Sequence, residues 1–180
     1  MDLFEAIKNR RSIRSFTNVS VPDKDIEKIL NAAIMAPSAG NRQPWNFIVI
    51  KDDATKKALA VAALSQNFII ESPVVIAVCA NIRNQERYGQ RGMELYRLQD
   101  TAAAIQNMLL SIHALGYGAV WVGAFSERKV CEILSIPDNI KIVALIPIGK
   151  PSRTTEASEI LTPPRLPLEE IVYHDKFGNK

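Results

Sequence analysis

Seven consecutive apolar residues, Val74-Val75-Ile76-Ala77-Val78-Cys79-Ala80, follow Pro73. No side of that run is polar, so as a strand it must be covered on both faces. That demands a sheet between helices, and the neighbouring sequence supplies both. Residues 46–50, 119–124 and 141–148 read as strands. Residues 2–9, with Leu3, Phe4 and Ile7 on one side, read as a helix, as do residues 54–63 and residues 126–135 behind Ser126 as cap. Asp23 is the expected cap of another, in which Ile26, Ile29, Leu30, Ala33 and Ile34 keep helical spacing until Pro37.

The longest predicted helix covers residues 94–115. Leu95, Leu98, Ala102, Ile105, Leu109 and Ile112 recur at steps of 3, 4, 3, 4 and 3, and Gly116-Tyr117-Gly118 closes it. Ala102, Ala103 and Ala104 would let a second helix approach closely. Packing inside one chain and packing across a subunit interface both fit. Residues 82–93 are polar, with Arg83, Arg87, Gly89, Arg91 and Gly92, and read as a loop. Beyond Gly149 the chain is polar and carries Pro151, Pro163, Pro164 and Pro167, which predicts an extended tail over residues 151–180. Strands alternating with helices point to a doubly wound parallel sheet. The opening, two helices and an arginine cluster where that fold places a strand and a glycine-rich turn, argues against it.

At 180 residues and 47% hydrophobic content the chain is expected to form one domain, residues 1–180. A net charge of +3 without a basic, aromatic-laced stripe argues against nucleic acid as a partner. Met1-Asp2-Leu3-Phe4-Glu5 is no signal-peptide start, and the apolar runs fall short of the ~18 residues a membrane span needs. Cys79 and Cys131 have no partner at a metal or redox spacing, and a reduced, cytoplasmic protein is expected.

Two segments carry chemistry. In Arg10-Arg11-Ser12-Ile13-Arg14 three guanidiniums fall within five residues. A solvated basic corner and a polyanion site both account for it; guanidinium forks and a serine hydroxyl suit phosphate oxygens. The second segment is Ala36-Pro37-Ser38-Ala39-Gly40-Asn41-Arg42-Gln43-Pro44-Trp45. Its small residues let backbone approach a flat ligand, and Ser38, Asn41 and Gln43 offer groups that pair with a heterocycle. A ring and a phosphate together describe a mononucleotide.

These two segments resemble the signatures of the FMN-dependent nitroreductase family. Leu115-Gly116-Tyr117-Gly118-Ala119-Val120-Trp121-Val122-Gly123, Leu145-Ile146-Pro147-Ile148-Gly149-Lys150-Pro151 and the stretch from Arg165 to Val172, followed by Lys176-Phe177-Gly178, resemble its later motifs in the right order. The resemblance implies an α+β fold: a nitroreductase-like α-β-α sandwich around a mixed, mostly antiparallel sheet, in a homodimer whose C-terminal tails extend over the partner. It implies FMN sites at the interface and NAD(P)H as electron donor. By position, Arg10, Arg11, Ser12, Arg14 and Arg165 match residues around the phosphate and ribityl chain. Pro37, Ser38, Ala39, Asn41 and Gln43 match residues near the flavin, and Val122 and Gly123 match a strand whose N–H faces flavin N5. Gly149 and Lys150 match the strand end near the phosphate. Pro163 stands where many relatives have a lysine.

The implied chemistry is reduction of nitroaromatics, quinones or similar small acceptors in a ping-pong cycle. Specialised flavin reactions (dehalogenation, ring oxidation, flavin consumption) and a flavin-binding protein without turnover are the alternatives. No catalytic acid or base and no metal ligands are expected. His113 reads as a core or interface residue, His174 as solvated, and Trp45 and Trp121 as core.

Overall fold

The computed structural model describes residues 1–152 and 164–180. Its elements are α1 (Leu3–Asn9), α2 (Asp23–Ile34), β1 (Trp45–Ile50), α3 (Asp53–Ala62), α4 (Phe68–Glu71), β2 (Val74–Ala80), α5 (Gln85–Arg91), α6 (Arg97–Ala114), β3 (Gly118–Ala119), α7 (Glu127–Leu134), β4 (Lys141–Gly149) and α8 (Leu168–Ile171). A short 3-10 turn spans Ala39–Asn41, and a π-helical turn, Gly92–Tyr96, leads into α6.

The sheet has the order β1-β2-β4-β3, and every neighbouring pair is antiparallel. The parallel sheet expected from periodicity is therefore corrected. All seven residues of β2 are buried, as the apolar run requires, but the cause is a helical layer on each face. Val74, Ile76 and Val78 point into one core with Ile26, Ile29 and Ala33 of α2 and Ile105, Met108 and Ile112 of α6. Val75, Ala77 and Cys79 point into the other, with Leu59 of α3, Ile69 of α4 and Val130 of α7. The period-2 alternation of a strand thus feeds two cores in an α-β-α sandwich.

Several local expectations change. Asp23 is the first helical residue of α2 and the cap position is Pro22, with no side-chain cap; Ser126 does cap α7, accepting from Lys129 N at 3.5 Å. The strand expected over 119–124 pairs only at Gly118–Ala119 and again at the isolated Val122–Leu145 bridge. Trp45 is buried as expected, whereas Trp121 is 38% exposed. Residues 82–93 are not a loop. They hold α5, broken at Gly89 (φ 53°, ψ −138°), and run into the π turn. Polar composition hid this segment because its anchor is a buried polar residue, Asn84, over which the buried Gly92 packs so closely that a Cβ would lie 2.4 Å from Asn84 O. In α6, Ile105, Leu109 and Ile112 are buried, while Leu98 and Ala102, like Leu95 in the preceding π turn, are only half-buried. No helix among the described residues is long and apolar enough to cross a membrane. Pro163 and the first part of the expected tail, residues 153–163, lie outside the described residues.

The N-terminal segment extends the sheet. Ser12 bridges Ala119 in parallel fashion, Ile13 N donates to Ala119 O at 3.0 Å, and Phe16 bridges Pro151. Ile13 lies on Gly118, where a Cβ would sit 2.7–2.9 Å from three Ile13 side-chain atoms. Gly118→Ala should therefore destabilise the fold by about 1–3 kcal/mol through overpacking. Urea unfolding of Gly118→Ala, Ile13→Ala and the double variant should give a double-variant cost smaller than the sum of the singles; strict additivity would show that the contact does not set this edge.

Candidate functional site

Asp2 caps α1 by accepting from Phe4 N at 2.9 Å, and the helix ends where Arg10 N donates to Ala6 O. Arg11 Nη1 then donates to Lys8 O (2.6 Å) and Arg10 O (2.9 Å), satisfying carbonyls at the helix end. Arg11 thus has a local structural task that its place in the cluster did not reveal. Beyond it the chain is extended, so Ser12 and Arg14 face away from buried Ile13, and both are exposed. Arg14 makes no ion pair among the described residues. Burial, then the positive charges of Arg11 and Arg165, lower the pKa of Arg10. Arg165, though distant in sequence, therefore acts on the cluster. Like charges gathered at one edge can attract an anion.

Behind this edge lies a cavity of about 210 Å³ between the Arg10–Ile13 stretch and the last turns of α6. His113 lines it; its Nε2 is buried without a partner among the described residues, and burial, then Arg10 and Arg11, lower its pKa. A neutral imidazole beside two guanidiniums is consistent with the core or interface residue expected. His174 is exposed. Neither thiol is a nucleophile: burial pushes Cys79 up to about 12 and also raises Cys131.

Gly149 and Lys150 adjoin the arginines but have other partners. A Cβ on Gly149 would lie 2.7 Å from Pro73 Cδ and 3.1 Å from Phe16 Cδ1, so packing alone explains the glycine. Lys150 Nζ donates to Gly116 O at 2.9 Å and sits 4.2 Å from the Tyr117 ring centroid, at the C-terminal end of α6. Val122 spends its N–H on Leu145 O and receives the Leu145 N–H, each at 3.0 Å. It therefore has no N–H for a ring nitrogen. Gly123, next along the edge, is exposed and has no hydrogen-bond partner for its N–H among the described residues. It lies four residues beyond Ala119, or ~13 Å of extended chain.

The turn after α2 is built under constraint. Gly40, Asn41 and Gln43 all have left-handed φ (54°, 56° and 49°), which costs the two non-glycine residues about 1 kcal/mol each. Ser38 Oγ accepts from Gln43 N (3.0 Å), and Asp100 Oδ1 accepts from Ala39 N (3.0 Å). Gln43 Nε2 donates to Asn41 Oδ1 at 3.1 Å, which orients the two amides together. Pro37 and Asn41 are exposed, whereas Ser38, Ala39 and Gln43 are half-buried. Asp100, 7% exposed, was not among the residues expected from sequence; its second oxygen accepts from Asn84 Nδ2 at 2.8 Å. The available signal was a lone carboxylate heading the apolar part of α6.

Within one chain these two halves stay apart. The turn enters β1, at one sheet edge, beside the first turn of α6; the arginines lie on β3, at the other edge, beside its last turns. From Asp100 to His113 the helix rises ~20 Å. One mononucleotide held by Arg10, Ser12 and Arg14 and approached by Gly123 is not reached by the turn of the same chain. The donor set nevertheless suits such a ligand: guanidiniums and a hydroxyl for a phosphate, then an N–H without a partner among the described residues for a ring.

The family model described as the nitroreductase family matches residues 7–72 and 60–150. The chain is 32% identical to a protein of Thermus thermophilus named NADH dehydrogenase, over 96% of this chain and 95% of that one. It is 28% identical to a Bacillus subtilis protein named FMN reductase (NADPH), covering 97% of this chain and 74% of the relative. Among solved structures, a nitroreductase family protein from Clostridium novyi superposes with a TM-score of 0.79 at 34% identity, covering 99% and 96% of the two chains. The α-β-α sandwich, the arginine edge and these likenesses agree: the chain belongs to the nitroreductase family.

Proposed function

We propose that this protein is an FMN-dependent oxidoreductase that, as a cytoplasmic homodimer, passes electrons from NAD(P)H to nitroaromatics, quinones or similar electron-poor acceptors in a ping-pong cycle. The observation that carries the reading is the edge strand itself. It presents Ser12 and Arg14, with Arg10 and Arg165 alongside, at one end, and the unpartnered Gly123 N–H ~13 Å further on. FMN, when bound, supplies hydride acceptance and donation at N5.

The chain's own groups bind and orient it. Arg10, Ser12, Arg14 and Arg165 hold the phosphate through charge-assisted hydrogen bonds. The Gly123 N–H would be available to the ring. The turn of residues 37–43 from the second copy would meet the ring, with Ser38, Asn41 and Gln43 supplying polar contacts, because the turn of the same chain lies at the far corner of the sheet. Donor and acceptor use the same space in succession, and no acid or base of the protein is required. The exposed apolar residues Leu166, Leu168, Ile171 and Phe177 (91% exposed) support a tail that lies on the partner.

Anaerobic stopped-flow mixing with NADPH and NADH should bleach the yellow protein with at least one donor. Protein that stays yellow with both would refute the assignment of these donors. Arg10→Ala with Arg14→Ala should weaken FMN binding at least ~100-fold, read as colourless protein after gel filtration; a fully yellow double variant would refute the phosphate assignment. Deleting residues 155–180 should shift the light-scattering mass toward that of a single chain. An unchanged dimer mass would exclude the tail as an interface element.

A further inference from the structure

The outer wall of the Ser38–Gln43 turn is made of arginine and tyrosine. A Cβ on Gly40 would lie 2.5 Å from Tyr88 Oη and 3.0 Å from Arg87 Nη1, so both side chains rest on the turn's backbone. Arg42 Nε donates to Arg83 O at 2.8 Å, and Arg83 Nη1 returns to Gln43 O at 3.2 Å. Asp100 ties the two segments from beneath, one oxygen on Ala39 N and the other on Asn84. The arginine-bearing segment is therefore fixed to the turn and does not drift over it as a free loop.

Much of the charge of this wall faces rings and carbonyls. Arg87 lies 5.6 Å from the Tyr88 ring centroid and Arg91 lies 5.3 Å from that of Tyr96, while the two rings meet edge to face at 5.2 Å. Arg83, Arg87 and Arg91 form no ion pair among the described residues, and Arg83 and Arg87 are exposed. Among the described side chains the segment carries three guanidiniums, Arg83, Arg87 and Arg91, and the carboxylate of Glu94, which accepts from Gln90 at 2.6 Å. Rings and carbonyls orient guanidinium without neutralising it.

We infer that this wall selects the acceptor: the enzyme prefers planar acceptors bearing a carboxylate, held by Arg87 and Arg83 while the reducible group lies against the flavin. The inference rests on the flavin reading above and adds the substrate's charge to it. For a nitro compound the balanced first step is Ar–NO2 + NAD(P)H + H+ → Ar–NO + NAD(P)+ + H2O. The arginines take no part in that bond chemistry. They bind the far end of the acceptor and orient its ring.

The test compares 4-nitrobenzoate with its neutral methyl ester, using flavin-loaded wild type, Arg87→Gln and Arg83→Gln. The ester's ring is the more electron-poor, so intrinsic reactivity works against the predicted preference. Each variant should lower the kcat/KM ratio of acid over ester by about tenfold, chiefly through KM of the acid. A ratio that moves less than about twofold in both variants overturns the proposal, as does an equal loss on both acceptors, which marks a structural role. NADPH bleaching of the same preparations separates the two levels. Protein that holds no flavin, or cannot be bleached, refutes the flavin reading and this proposal with it; bleached protein with an unmoved ratio refutes this proposal alone. Bleaching that slows while the ratio stays fixed assigns the arginines to the phosphates of the nicotinamide donor and also overturns it.

Discussion

The hydrogen bond from Ile13 N to Ala119 O turns an N-terminal arginine cluster into part of the sheet. The guanidinium charges of Arg10, Arg11 and Arg14 repel one another, and this pairing fixes the backbone that carries them. With Ile13 buried against Gly118, the backbone is fixed and the charges on Ser12's side of it must coexist. The energy that holds them together is apolar packing and backbone pairing, supplied by the same strand. An anion held at an edge organised this way, as proposed, would require little rearrangement, which limits the entropy lost on binding.

The second constraint is distance. An antiparallel sheet in the order β1-β2-β4-β3 puts the first and third strands of the chain at opposite edges. The turn feeding β1 and the arginines beside β3 also contact opposite ends of α6. The turn and the arginines therefore lie at different corners of one chain. Under the proposed dimer, pairing two copies would bring the turn of one chain to the arginine edge of the other, which would give a purpose to a turn with three left-handed residues.

Much of the fold was legible because β2 and α6 are apolar in ways only burial explains. Strand direction was not, since period-2 alternation and full burial are alike in parallel and antiparallel sheets. The resemblance, not the periodicity, pointed to the antiparallel sandwich. Of the candidate site, Ser12 and Arg14 are exposed beside the sheet edge, and the Gly123 N–H has no partner among the described residues. Arg11, Val122, Gly149 and Lys150 have partners within the chain that position alone did not reveal: Lys8 O, Leu145, Pro73 with Phe16, and Gly116 O. Such tasks depend on hydrogen bonds and contacts that no local pattern encodes. Asp100 and the α5 segment escaped for the same reason, being defined by contacts across 61 and 16 residues of chain.

The central claim is that the arginine edge grips the phosphate of FMN. Titrating flavin-free protein with FMN and with riboflavin, by quenching of flavin fluorescence at two salt concentrations, tests it most directly. The account predicts that FMN binds far more tightly than riboflavin and that the difference shrinks as salt rises. Equal affinities for the two flavins, independent of salt, would contradict it.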